Sequence, residues 1–237
     1  MTTQTERVTG YTECAPALAY SMMIAMIDAG RQAGLKRQEA TSLALSKMRM
    51  TSKLLSGSKH SPQGISDVWA VRGGDASETL YDRRRSGLRG MVVGAARAAG
   101  EAAYGERPVV LRFPYGPVRE TAGLATGRGN GAGGRQGAAS PAVLGRLGEA
   151  CSVWAMDWAL AMIHAGVDAG LTHAEAQDVA LRSIRGACDE AAETQQQPAA
   201  LRDRAMNGSS AISAAVGHLE TNGYYQTIRD GLAAGLW

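Results

Sequence analysis

Apolar and small side chains fill nearly every position of two stretches of the chain, residues 16–34 and 152–170. A helix that is apolar on all sides is normally buried on all sides, so this pattern predicts two central helices. Each stretch ends at a glycine, Gly34 and Gly170, and glycine is the residue that most often ends a helix. The two stretches therefore predict the core of an all-α protein.

Shorter helical segments follow each central helix in the same order. Prolines and glycine- or serine-rich turns separate them, as expected where one helix stops and the next begins. These predicted helices cover residues 37–56, a short segment starting at Pro62, 75–84 and 87–101 in the first half, and 173–193, a short segment starting at Pro198, 211–220 and 223–235 in the second.

The second half of the chain repeats the first. Residues 9–101 align without a gap on residues 145–237, and roughly one aligned pair in five is identical. Two copies with so long a period indicate a fused dimer, in which one chain carries both halves of a two-fold assembly, rather than a solenoid. We therefore expect a first repeat at residues 8–101, a connector at 102–144 with a flexible glycine-rich part, and a second repeat at 145–237.

Composition narrows the class of protein. The net charge of +3 is too small to argue for nucleic acid. We find no run of about 18 apolar residues that would span a membrane and no signal-peptide pattern. Three cysteines and four histidines lack the spacing of a disulfide framework or a metal site. These features favour a cytoplasmic protein that binds no metal, no nucleic acid and no membrane.

Short motifs recur in a fixed order within the two halves. They occupy residues 8–17 (VTGYTECAPA), 27–35 (IDAGRQAGL), 65–67 (ISD), 71–76 (VRGGDA), 163–171 (IHAGVDAGL), 201–212 (LRDRAMNGSSAI) and 218–224 (HLETNGY). Their order and spacing resemble the C-terminal dimerisation domain of pyrroline-5-carboxylate reductase. The resemblance implies two pseudo-symmetric repeats of about five helices each, intertwined around the two long helices as the reductase's dimerisation domains are.

The resemblance also indicates what the chain lacks. The reductases carry an NADP-binding Rossmann domain, but no Gly-x-Gly-x-x-Gly follows a predicted strand here. We therefore expect no cofactor. Residues 114–117 (PYGP) stand where the family has a segment beside the nicotinamide, which makes Tyr115 a candidate substrate contact.

A substrate anion site is a further implication of the resemblance. In the reductases, backbone N–H groups of a loop at a helix N-terminus hold the substrate carboxylate, where the helix dipole favours an anion. Gly73, Gly74 and Asp75 fall on that loop in the first repeat, with Arg72 beside them. Ser209, Ser210 and Ala211 fall on it in the second repeat. The alternative is that both turns are ordinary helix N-caps.

Glu13 and Glu149 are the candidate catalytic residues. They are identical at corresponding positions of the two repeats, in the turn expected before each long helix. A carboxylate against an apolar helix has a raised pKa and suits general acid/base catalysis. The alternative is that each carboxylate caps a helix start.

The second long helix carries Trp154, Asp157 and Trp158, where the first has Leu18, Ser21 and Met22. Two tryptophans one turn apart wall a pocket for a flat substrate or, alternatively, fill the core. We therefore consider these three residues candidate substrate contacts.

Three functions remain open at this point. The first is a non-redox biosynthetic enzyme, of cyclase, isomerase or lyase type, that acts on a small imine-like or amino-acid-derived intermediate in specialised metabolism. The second is a non-catalytic ligand-binding or dimerisation scaffold. The third is half of a reductase that needs a separate NADP-binding partner. The fused pseudo-dimer is expected to act as a monomer or to pair into a further homodimer.

Overall fold

The computed structural model describes residues 3–57, 87–104 and 141–234, and these residues are helical apart from short turns. No strand occurs among them, so the predicted all-α class is confirmed. The helices are α1 (Gln4–Gln32), α2 (Arg37–Gly57), α3 (Leu88–Tyr104), α4 (Pro141–Ala169), α5 (His173–Thr194), α6 (Pro198–Asn207), α7 (Ser210–Thr221) and α8 (Tyr224–Ala234).

The two central helices are longer than predicted. α1 and α4 each have 29 residues, and both start well before the apolar stretches at positions 16 and 152. α1 starts after Thr3, whose side chain accepts a hydrogen bond from the Glu6 amide while the Glu6 carboxylate accepts one from the Thr3 amide. This reciprocal cap fixes the helix start. Pro16 therefore lies inside α1, where buried residues on both sides anchor the helix in the core.

The turn after each central helix has the same geometry in both repeats. Gly34 and Gly170 have φ angles of 94° and 115°, values that favour glycine. In the first repeat the Leu35 amide donates to the carbonyl of Gly30 at 3.0 Å, and in the second the Leu171 amide makes the equivalent bond at 3.0 Å. The predicted glycine ends are confirmed, and the repeat is visible in the backbone.

The repeats are intertwined rather than side by side. α3, from the first repeat, packs on α4 and α7 of the second as well as on α1. In return, α8 from the second repeat packs on α1. α2 packs on α4, the central helix of the second repeat, and α5 packs on α1, the central helix of the first. One continuous core therefore contains both α1 and α4, which is the pseudo-dimer expected from the sequence.

Polar bonds also join the repeats. The buried Tyr11 hydroxyl donates to the carbonyl of Met162 at 2.9 Å, linking α1 to α4. On the surface, the Arg49 guanidinium of α2 pairs with the Asp189 carboxylate of α5 at 2.6 Å. These contacts fix how α1 and α2 sit against the second repeat.

Within the described part of the chain, one helix passes the length and composition test for a membrane span. It is α4, with a mean hydropathy of 1.2 over its most apolar window, and the expectation of no such stretch is wrong for this helix. However, 83% of that window is buried inside the protein, as in the core helix of a soluble protein.

Candidate functional site

Trp154 and Trp158 lie in the core between the two repeats. Both side chains are fully buried. The Trp154 ring lies directly against the backbone of α8, because a Cβ built on Gly231 would be 2.0 Å from its Cζ2 atom. Asp157, on the same helix, is half-buried. The two indoles therefore contribute to the packing of α4 against its neighbours, and their contact with a substrate stays a prediction.

Glu13 and Glu149 lie on the surface of the two central helices. Both side chains are exposed, and each stands inside α1 or α4 rather than in a turn before it. The predicted position in a turn is therefore wrong, because the helices start nine and eight residues earlier, at Gln4 and Pro141. Glu13 is too far along α1 to cap its start, where Thr3 has that role. The structure places neither carboxylate against a buried apolar surface.

The serine turn of the second repeat is a helix N-cap. The Ser209 hydroxyl accepts a hydrogen bond from the Ile212 amide at 3.3 Å at the start of α7. The neighbouring Ser210 hydroxyl donates to the carbonyl of Ala102 at 3.3 Å and so links α7 to α3. The remaining predicted contacts lie outside the described residues; they are Arg72, Gly73, Gly74 and Tyr115.

A buried arginine forms a polar cluster that no sequence pattern predicted. Arg202 of α6 is only 7% exposed. Its Nη1 atom donates to the Tyr225 hydroxyl at 2.5 Å and contacts Glu220 Oε1 at 3.5 Å. Its Nη2 atom donates to Asp203 Oδ1 at 2.8 Å. We call these four residues the Arg202 cluster; they join α6, α7 and α8.

Burial raises the pKa values of two members of the Arg202 cluster. It raises the pKa of the Glu220 carboxyl, an effect that the Arg202 guanidinium opposes and the Asp203 carboxylate adds to. Burial likewise raises the pKa of the Tyr225 phenol, again against the influence of Arg202. A carboxyl with a raised pKa keeps its proton to a higher pH than an exposed glutamate does, which favours a role as a proton donor.

The sequence did contain a signal for this cluster. Arg202 and Asp203 belong to the motif at residues 201–212, and Glu220 belongs to the motif at 218–224, both of which carry the resemblance to the reductases. The two motifs are adjacent only after α6, α7 and α8 fold together, so their spacing along the chain did not reveal the contact.

The cysteines offer no reactive thiolate. Cys14, Cys151 and Cys188 are all buried and free. Burial raises the pKa of each thiol to about 12. Because the thiolate is the nucleophile, these residues act as small apolar side chains at neutral pH. The described ranges also contain no group of three or more His, Cys, Asp or Glu side chains placed to hold a metal ion.

Comparison with known proteins agrees with this architecture. The family model for pyrroline-5-carboxylate reductase dimerisation matches residues 2–105 and 151–236, one segment for each repeat. No curated protein and no solved structure gives a significant match. The family match covers most of the chain, so the chain belongs to the pyrroline-5-carboxylate reductase dimerisation family.

Proposed function

We propose that this member of the pyrroline-5-carboxylate reductase dimerisation family is a self-contained pseudo-dimeric module that binds a small ligand without catalysing its conversion. The observation that favours binding over catalysis is the exposure of Glu13 and Glu149, the two carboxylates expected to move a proton. General acid/base catalysis gains from a site that excludes water, and an exposed helical surface does not provide one. The scaffold alternative is therefore favoured over catalysis by these two residues.

The intertwined packing supports the pseudo-dimeric part of the proposal. The two copies that a dimerisation domain normally takes from two chains are both present here, and they share one core. The chain therefore has no need of a second copy to complete its fold, and we propose that it acts as a monomer. Light scattering after size-exclusion chromatography tests this point, with the mass of one chain as the expected result.

We also propose that the module uses no nucleotide cofactor and acts in the cytoplasm, without nucleic acid or membrane partners. Both segments matched by the family model belong to the dimerisation domain. Hydride transfer depends on a bound nicotinamide, so binding without reduction is the activity that this domain supports by itself.

Calorimetric titration with 1-pyrroline-5-carboxylate, with and without NADPH, tests the proposal. We expect the compound to bind equally under both conditions and to be recovered unchanged, as followed by proton NMR. The double variant Glu13→Gln/Glu149→Gln is expected to bind with the same affinity. Consumption of NADPH or conversion of the compound would refute a purely binding function, and the absence of binding heat at two temperatures would refute ligand binding.

A second candidate function, a cofactor-independent enzyme for an imine-like intermediate, is favoured by the Arg202 cluster. Glu220 is half-buried, and burial raises its pKa, as a proton donor requires. If this second candidate function is correct, the protein converts 1-pyrroline-5-carboxylate without NADPH, and Glu220→Gln abolishes the conversion. The matched control is Glu193→Gln, because Glu193 is an exposed glutamate on α5; this control leaves the rate unchanged.

A further inference from the structure

We propose that the core beside Trp154, Trp158 and Tyr224 is a binding site for a flat, largely apolar ligand that carries a hydrogen-bond acceptor, such as a carbonyl or imine group. The inference rests on the ligand-binding part of the proposed function and names a site for an uncharged ligand, which is chemically distinct from the 1-pyrroline-5-carboxylate that tests that function. It starts from a surplus of buried hydrogen-bond donors in this part of the core.

The two indole N–H groups supply most of that surplus. Trp154 and Trp158 are fully buried, yet neither Nε1 atom has a hydrogen-bond partner. A buried donor without a partner typically costs about 1–3 kcal/mol, and such groups are rare in native proteins. Two of them, one turn apart on the same helix, indicate a missing acceptor.

Tyr224 adds a third donor with a weak partner. Its side chain is fully buried, and its hydroxyl donates only to the thioether of Met22, with an oxygen–sulfur distance of 3.4 Å. Thioether sulfur is a weak acceptor. Burial raises the pKa of the Tyr224 phenol well above its usual value, and the neighbouring Trp158 indole partly opposes this rise. The Trp158 contact falls outside hydrogen-bond geometry, so it does not satisfy the indole.

The first repeat shows that packing alone does not need these donors. The residues that correspond to Trp154, Trp158 and Tyr224 are all apolar and buried; they are Leu18, Met22 and Leu88. The same fold thus fills the equivalent core with side chains that have no N–H or O–H group. Burying the unpaired donors of the second repeat therefore destabilises the fold, whereas their apolar counterparts do not. A hydrogen-bond acceptor on a ligand would offset this destabilisation.

The surroundings define the class of ligand. The three donors are aromatic and uncharged, and aromatic rings favour flat partners that stack or meet them at an edge. α8 covers Trp154 through the backbone of Gly231 and also carries Tyr224, so this 11-residue helix forms one wall of the proposed site. A small cyclic ketone or imine has the required acceptor, flat body and lack of donors.

A pair of isosteric probes tests the site. Cyclopentanone has a carbonyl acceptor, and methylenecyclopentane has the same shape with a CH₂ group in its place. Both are titrated into the ¹⁵N-labelled full-length protein, with the indole Nε1–H resonances assigned from Trp154→Phe and Trp158→Phe. We expect cyclopentanone to shift both indole resonances downfield in a saturable manner and to bind about tenfold more tightly than methylenecyclopentane, the contribution of one hydrogen bond.

Two tyrosine variants test whether cyclopentanone binds at the proposed site. Tyr224→Phe removes a donor from the proposed site and should weaken cyclopentanone binding several-fold. Tyr11→Phe removes another buried hydroxyl, the one bonded to Met162, and should leave the affinity unchanged. Equal losses in both variants would contradict the assignment.

Three results would overturn the inference. The first is unmoved indole resonances, the second is equal affinity for the two probes, and the third is indoles already bonded to an internal water that cyclopentanone does not displace. If 1-pyrroline-5-carboxylate still binds in any of these cases, the proposed function stands and only this site is wrong. If the indoles respond to cyclopentanone but 1-pyrroline-5-carboxylate does not bind, the site stands and the ligand named for the proposed function is wrong.

Discussion

Gly231→Ala is expected to change stability in opposite directions depending on the residue at position 154. A methyl group at Gly231 would lie 2.0, 2.7 and 2.9 Å from three atoms of the Trp154 ring. Carbon atoms pack at about 3.5–4.0 Å, so the ring would have to move by more than 1 Å in a close-packed core. Such overpacking typically costs about 1–3 kcal/mol, whereas replacing glycine by alanine inside a helix gains about 1 kcal/mol. We expect a net loss of up to about 2 kcal/mol.

The first repeat has an alanine at the helix position equivalent to Gly231, together with a smaller side chain in place of the tryptophan. Leu18 and Ala95 occupy the positions equivalent to Trp154 and Gly231, and both are fully buried on packed helices. Trp154→Leu alone should lower the free energy of unfolding by about 2–4 kcal/mol, because it leaves a cavity in the core. In this background the methyl group added at position 231 has room. There Gly231→Ala should stabilise the protein by up to about 1 kcal/mol.

Urea unfolding followed by circular dichroism at 222 nm measures these differences in the four members of the double-mutant cycle. Gly186→Ala is the control, because Gly186 lies inside α5 and nothing is within 4 Å of its ideal Cβ position. It should stabilise both backgrounds equally. If Gly231→Ala changes the free energy of unfolding by the same amount in both backgrounds, the packing argument is refuted.

Three further predictions concern charges and caps. Burial lowers the pKa of His218, so this imidazole takes up its proton at a lower pH in the folded state than in the unfolded state; stability should fall as the pH drops from 7 to 5, and less so in His218→Gln, as urea midpoints would show. Ser209→Ala removes the N-cap of α7 and should lower the free energy of unfolding in urea by about 1 kcal/mol, whereas Ser209→Asp should lower it much less because aspartate also caps helices. Equal losses in both variants would contradict the capping role. Asp189→Asn breaks the exposed pair with Arg49 and should cost less than about 1 kcal/mol, with no measurable effect at 1 M NaCl.

The sequence predicted the fold better than the site. The continuous apolar stretches and the glycines at 34 and 170 were enough to place the central helices, because both are local signals, and the gapless self-alignment revealed the repeat. The start of α1 was missed because Pro16 reads as a first-turn proline, while the cap at Thr3 and the burial of the intervening residues decide the outcome.

The candidate site depends on contacts between distant residues. The sequence could not decide whether Trp154 and Trp158 wall a pocket or fill the core, since both arrangements use aromatic side chains one helical turn apart. Burial settles their position, and only the absence of partners for their N–H groups suggests more than packing. The Arg202–Tyr225 bond joins residues on separate helices, so it appears only in three dimensions.

The ion pair between α2 and α5 has a consequence for the ancestry of the fold. Arg49 faces Asp189, whereas the residues at the corresponding positions, Arg185 and Lys53, have like charges. Arg185 instead donates to the Ser56 hydroxyl at 3.2 Å. Two identical copies of the first repeat, paired about the same axis, would set Arg49 against Lys53 twice. At this contact the first repeat is therefore poorly suited to pair with its own duplicate, whereas two copies of the second repeat would set Arg185 against Asp189, a pair of opposite charges.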